Sequence, residues 1–174
     1  MKKITFLFLL ISVVCSAQMK AEKDVFDTAR YGTVAEMKML HSKDKNSINA
    51  TSKMGFSPLI LACYRGNDAV AEYLAKNVKD INYASDNGTA LAAVAVKGNA
   101  KLAKVLLENG ADPNIADAMG VTPLIYAVQF ENVALIKLLI KHDADPNKAD
   151  KQGKSAIDYA AFTENQDIVN LLKK

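Results

Sequence analysis

Four asparagines measure out this chain. Asn49, Asn82, Asn114 and Asn147 fall at intervals of 33, 32 and 33 residues. A second set, Leu59, Leu91, Leu124 and Ile157, falls at intervals of 32, 33 and 33. From each leucine to the following asparagine the distance is always 23 residues. A fixed period of this size means that one small unit is copied several times, and that each copy buries its apolar face against its neighbours. The one missing residue lies between Asn82 and Leu91, in the segment that joins units. Loops absorb such changes and packed helices do not.

The unit is legible in Gly120 to Asn147, GVTPLIYAVQFENVALIKLLIKHDADPN. Thr122-Pro123 and Ser57-Pro58 each place a hydroxyl at a helix N-cap and a proline at the first helical position. Gly66 and Gly98 end the first helix where a left-handed residue is needed. Glu131 stands where Gly66 and Gly98 end the first helix in the two preceding units, and Asp143 where Gly110 sits in the unit before, so those two turns are expected to be strained or slightly repositioned. Ala62, Ala127 and Ala160 allow close helix approach, whereas Val94 is expected to widen its contact. Asn87-Gly88 reads as the two-residue turn of a hairpin. The second helices carry the main core: Val70, Tyr73 and Leu74; Leu102, Val105, Leu106 and Leu107; Leu135, Ile136, Leu138, Leu139 and Ile140.

These motifs resemble the ankyrin repeat. They are Gly120-x-Thr122-Pro123-Leu124 and Gly110-Ala111-Asp112-x-Asn114, and the resemblance covers about residues 20–174. It implies an all-α solenoid of helix-turn-helix units joined by hairpin-like loops. The expected organisation is an N-terminal cap at about 20–51, repeats at 52–84, 85–116 and 117–149, and a C-terminal cap at 150–174. The span from Gly32 to Asn49 is 17 residues against 16 in the two units that follow, so the first unit is expected to hold one extra loop residue.

Ahead of this array stands MKKITFLFLLISVVCSAQ. Lys2 and Lys3 precede an 11-residue run, Ile4 to Val14, broken only by Thr5 and Ser12, and Ala17 ends it with a small side chain. That is the pattern of a secretory leader at 1–17, too short to span a bilayer stably. An uncleaved anchor and lipidation at Cys15 are the alternatives, the second disfavoured by the bulk of Val14. After cleavage, export to a bacterial periplasm is expected, with no membrane association. Without Lys2 and Lys3, 20 basic residues face 19 acidic ones, a formal charge of +1. No basic stripe stands out, so nucleic acid is not an expected partner. Cys63 would then be the one cysteine, so no internal disulfide is expected and packing must hold the fold.

No catalytic pattern is found. His41 and His142 belong to distant units, and no His or Cys cluster has metal-ligand spacing. There is no Gly-rich phosphate loop, so neither cofactor nor metal is expected. Asp112, Asp145 and Asp150 read as turn residues that bond nearby backbone. Cys63 reads as a small core residue.

What remains is a surface. The resemblance implies a partner protein meeting the hairpin tips and the exposed, concave side of the first helices. Carried over to this chain, the tips offer Lys53, Met54, Phe56, Asp86, Asn87, Met119, Val121, Lys151 and Lys154. The first helices offer Arg30, Tyr31, Tyr64, Arg65, Val96, Lys97, Gln129, Phe130 and Phe162. Aromatic and arginine side chains are enriched at interface hot spots. Met54, Phe56, Tyr64, Met119, Val121, Phe130 and Phe162 are expected to form an apolar strip, the mark of an interaction site. The expected protein is a monomer that binds without catalysis. The alternatives are a self-associating spacer and, from the resemblance alone, a binder of a toxin or a partner of an oxidant-defence enzyme. A small-ligand or enzyme role would need a deep pocket with convergent polar groups.

Overall fold

The computed structural model describes residues 23–173; the leader expected at 1–17 lies outside them. Among the described residues ten α-helices follow one another in pairs. They are α1 (Val25–Tyr31) and α2 (Val34–Lys43), α3 (Pro58–Arg65) and α4 (Asp68–Ala75), α5 (Ala90–Lys97) and α6 (Ala100–Glu108), α7 (Pro123–Gln129) and α8 (Val133–Lys141), and α9 (Ala156–Ala160) and α10 (Gln166–Leu172). The first helices form one layer, packed in the order α1, α3, α5, α7, α9. The second helices form the other, in the order α2, α4, α6, α8, α10. Each unit therefore touches only its neighbours, and the core runs through the stack without a break.

Side-chain oxygens start every first helix. Ser57 Oγ accepts from Ile60 N at 3.3 Å, Thr89 Oγ1 from Ala92 N at 3.2 Å and Thr122 Oγ1 from Ile125 N at 3.2 Å. Asp24 and Ser155 do the same in the outer units. The closing turns are left-handed at Gly66 and Gly98. Glu131 is also left-handed, with φ 50°, as is Asp143 with φ 62°. The two strained positions expected from the sequence are thus the two non-glycine residues with positive φ among the described residues.

The core follows the leucine pattern. Val70, Leu74, Leu102, Leu106, Leu135, Ile136 and Leu139 are buried, while Tyr73, Val105, Leu138 and Ile140 pack against them half-covered. Cys63 is buried among them, and burial pushes its thiol pKa up. That keeps it protonated and unreactive.

Two length details differ from expectation. The extra residue of the first unit lengthens its second helix instead of the loop. α2 has 10 residues against 9 in α6 and α8, and both it and they are followed by a short closing loop. Among the described residues α2 packs against the second helix of one neighbouring unit, α4, so its extension displaces no second helix there. The second detail concerns the hairpins. In three of them a residue bonds across a three-residue tip: Ser52 N donates to Phe56 O, Asp117 N to Val121 O and Asp150 N to Lys154 O, at 2.9, 3.0 and 3.0 Å. In the fourth, Ser85 and Gly88 exchange both bonds, at 3.1 and 2.9 Å. The two turn residues there are Asp86 and Asn87, with Gly88 at the base, one position earlier than the Asn-Gly pattern suggests. The deleted residue is the one that Phe56, Val121 and Lys154 supply elsewhere.

The asparagines that set the period also join the units. Asn82 Oδ1 accepts from Asp112 N at 2.8 Å and its Nδ2 donates to Gly110 O at 3.2 Å. Asn114 repeats this with Asp145 N at 2.7 Å and Asp143 O at 2.9 Å. Asn49 accepts from Lys79 N at 2.8 Å. A second series, Asn67, Asn99, Asn132 and Asn165, has the same period and stands at the second-helix N-caps. Asn67 Nδ2 donates to Gly32 O at 2.9 Å and Asn132 Nδ2 to Gly98 O at 3.0 Å, each reaching back one unit. Each net hydrogen bond is worth about 1 kcal/mol. Asn114→Ala is therefore expected to lower unfolding free energy by about 1–2 kcal/mol. Asn147, whose side chain has no hydrogen bond among the described residues, serves as the control and should lose almost nothing on the same change. Urea unfolding of the two variants checks this.

Candidate interaction surface

Hairpins and first helices present one continuous sequence of projecting positions, because each unit repeats the last. The hairpins are tied to each other through the backbone. Ala118 N donates to Asp86 O at 2.9 Å, and Lys151 N to Met119 O at 3.0 Å. Tyr83 Oη donates to Gly55 O at 3.0 Å. Within two hairpins a carboxylate organises the turn. Asp117 Oδ1 accepts from Met119 N and Val121 N, at 2.8 and 2.9 Å. Asp150 Oδ1 accepts from Gln152 N and Lys154 N, at 2.8 and 3.0 Å. Asp112 and Asp145 hold their own loops in the same way, through Asn114 N and Asn147 N. Their role in turns, expected from the sequence, is what the geometry shows.

The other oxygens of Asp117 and Asp150 each take a tyrosine hydroxyl: Tyr126 Oη and Tyr159 Oη donate to them, both at 2.6 Å. Burial, reinforced by the bond to Asp117, pushes the Tyr126 pKa up to about 12. The Tyr159 bond holds the Asp150 carboxyl below its usual range. These pairs went unread in the sequence, although Asp and Tyr recur nine residues apart in both units.

Of the residues assigned to the surface, Lys53, Met54, Tyr64, Arg65, Asp86, Asn87, Lys97, Met119, Gln129, Phe130, Lys151 and Phe162 are exposed. Met54 is 77% accessible, Phe130 58% and Phe162 74%. Phe56 and Val121, placed in the apolar strip from the sequence, pack instead against the core. Both occupy the residue just after the turn glycine, where the chain heads back to the helix cap and the side chain tucks under the tip. Val96 and Lys154 are half-covered. Tyr31 is exposed as well.

Cations lie over several of these rings. Arg65 sits 5.6 Å from the centre of the Tyr31 ring, Lys97 5.1 Å from Tyr64, and Lys154 5.0 Å from Phe162. In each of the first two pairs the cation comes from the next unit, so the stacking of units builds the pair. Arg30 and Arg65 also share an open cleft of about 250 Å³ with Tyr31, Gly32, Gly66 and Asn67. Arg30 holds Asp27 at 3.2 Å. Neither Arg65 nor Lys97 has a carboxylate partner among the described residues. No group of three or more metal-ligating side chains occurs among the described residues, and no helix there is long and apolar enough to cross a membrane.

A family model for ankyrin repeats matches residues 25–117 and 116–174. The chain belongs to the ankyrin-repeat family. A stretch of 105 residues is also 29% identical to the rat (Rattus norvegicus) Ankyrin repeat and SAM domain-containing protein 6, covering 59% of this chain and 12% of that protein. The all-helical stack is the ankyrin solenoid. Ankyrin repeats are protein-interaction modules, generally without catalysis.

Proposed function

We propose that this protein is an exported, non-catalytic binding module. Its partner protein docks across the hairpin tips and the concave side of the first helices. The observation that carries the reading is the row of exposed aromatic side chains with cations over them, Tyr31, Tyr64 and Phe162, with Phe130 between. Large rigid rings and arginine supply contact area at low entropic cost. The side chains project from helices and hairpins locked to one another by backbone bonds, so little order has to be gained on binding. The leader at 1–17 supports export, and a periplasmic site suits a fold that needs no disulfide.

The test is capture from an envelope fraction, using the protein and its Phe130→Glu/Tyr64→Ala variant as baits. Both side chains are exposed, so the variant should keep its helical signal and its melting temperature. A protein retained by the first bait and at least tenfold depleted on the second supports the reading. Equal retention on both would remove this face as the site. Phe56 is left out of the design because its packing against the core would confuse a stability loss with a binding loss.

Self-association is the second reading, favoured by the apolar exposure of Met54, Met119, Phe130 and Phe162. Light scattering across a concentration series separates the two. A monomer at high concentration excludes the spacer role.

A further inference from the structure

We propose that the partner segment is acidic at one end and apolar at the other, and lies along the C-terminal ends of the first helices with its carboxylates on Arg30, Arg65 and Lys97. This rests on the docking face proposed above and names what that face selects.

Helices α1, α3 and α5 end in Arg30-Tyr31, Tyr64-Arg65 and Val96-Lys97, and α7 ends in Gln129, followed by its cap Phe130. The first three ends carry a cation and the fourth carries an exposed ring. Helix ends favour cations through the backbone dipole. That effect alone does not account for the row, since α7 is of similar length and has no basic residue in its last turn. Arg65 and Lys97 lie over Tyr31 and Tyr64, which hold them in place while leaving their outer N–H groups to solvent. Arg30 and Arg65 line one open cleft, Arg30 being paired there with Asp27, and an arginine's N–H fork matches a carboxylate.

Asp27 already pairs with Arg30 at 3.2 Å and Asp68 accepts from Asn99 at 2.8 Å, whereas Arg65 and Lys97 have no carboxylate partner among the described residues. Asp117 and Asp150 are tied to Tyr126 and Tyr159 and to turn amides. Asp86 is at a hairpin tip, beyond the opposite end of α5, a helix of 8 residues and so about 12 Å long. Glu131, beside Phe130, is an exposed acid, as is Glu164 near Phe162, and both sit where the helix-end cations stop. They disfavour carboxylates there and leave the Phe130 ring for an apolar side chain. Neighbouring helices lie about 8–10 Å apart, and an extended chain rises about 3.3 Å per residue. Contacts one unit apart therefore fall about three residues apart in the ligand. The matching segment reads acid, two residues, acid, two residues, large apolar residue.

The probe is a fluorescent, extended peptide with two aspartates three apart and a leucine three further on, measured by anisotropy against the full-length protein. A peptide with lysines in place of the aspartates is its counterpart. The acidic peptide is expected to bind at least tenfold more tightly at low salt and to lose most of that advantage in 0.5 M salt. Arg65→Glu/Lys97→Glu should reduce its binding at least tenfold. Lys101→Glu/Lys137→Glu, on exposed positions of α6 and α8, should leave it within twofold. Asp27→Asn frees Arg30 and should strengthen binding two- to threefold. Equal binding of the two peptides, no binding of the acidic one up to millimolar concentration, or an equal loss in the α6/α8 variant would each overturn the proposal. If the captured protein still depends on Phe130 while the acidic peptide shows no preference, only the acidic class falls and the docking face stands.

Discussion

Gly120→Ala is expected to destabilise the protein far more than Gly55→Ala, although both residues have nearly the same backbone conformation. Their φ angles are +81° and +77°. Either substitution places a side chain in the left-handed region, at about 1–2 kcal/mol. At Gly55 nothing lies within 4 Å of the added carbon. At Gly120 it would meet Lys151 N at 2.9 Å and Asp150 Cα at 3.0 Å. Those atoms are backbone of the next hairpin, and Lys151 N is already bonded to Met119 O. They cannot give way without breaking that bond, so a further cost of about 1–3 kcal/mol follows from overpacking. Urea unfolding of the two variants measures the difference. Equal losses would mean that the hairpins do not bear on each other as described.

The second large effect is expected from Leu106→Ala. Leu106 is fully buried in α6, between α4 and α8. Removing three carbons from a packed interior costs about 2–5 kcal/mol. Position adds a consequence peculiar to a stack. Each unit is held by its two interfaces, so a weak middle unit uncouples the halves on either side. Thermal unfolding should change from one transition to two, with the first moved down by several degrees. Leu172→Ala, in the last helix, should lower stability with no such splitting. A single transition in the Leu106 variant would show that coupling between units survives the cavity.

Much of the array could be read from the chain because it is written several times. The leucines and asparagines set the period, and the Thr-Pro and Ser-Pro pairs marked the helix starts. Glu131 and Asp143 were recognisable as strained because Gly66 and Gly98 stand at the equivalents of the first and Gly110 at the equivalent of the second. The missing residue was located to its loop by counting. What failed to be legible depends on a side chain's direction within a turn. Phe56 and Val121 look like tip residues by position, yet the chain reverses at the glycine before them and points them inward. The site suffered most from this, since two of its expected apolar residues belong to the core. The Arg30–Arg65 cleft and the rings beneath Arg65 and Lys97 were beyond a linear reading for another reason. Their partners come from different units, and only stacking brings residues 30 and 65 together. The paired tyrosines and aspartates carried a usable signal in their repeated nine-residue spacing.

Asn147 gives the stack an open grammar. Asn82 and Asn114 grip a backbone amide and a carbonyl in the following unit, and neither partner atom belongs to a side chain. The grip does not depend on which residues follow, provided the loop has the same shape. Asn147 presents the same amide with no such partner among the described residues, so a loop of the same shape at the same spacing beyond it would meet a clasp already in place. Length in this architecture is therefore a quantity that can be edited: copies added or removed change how much surface is displayed without requiring the remaining joints to be redesigned.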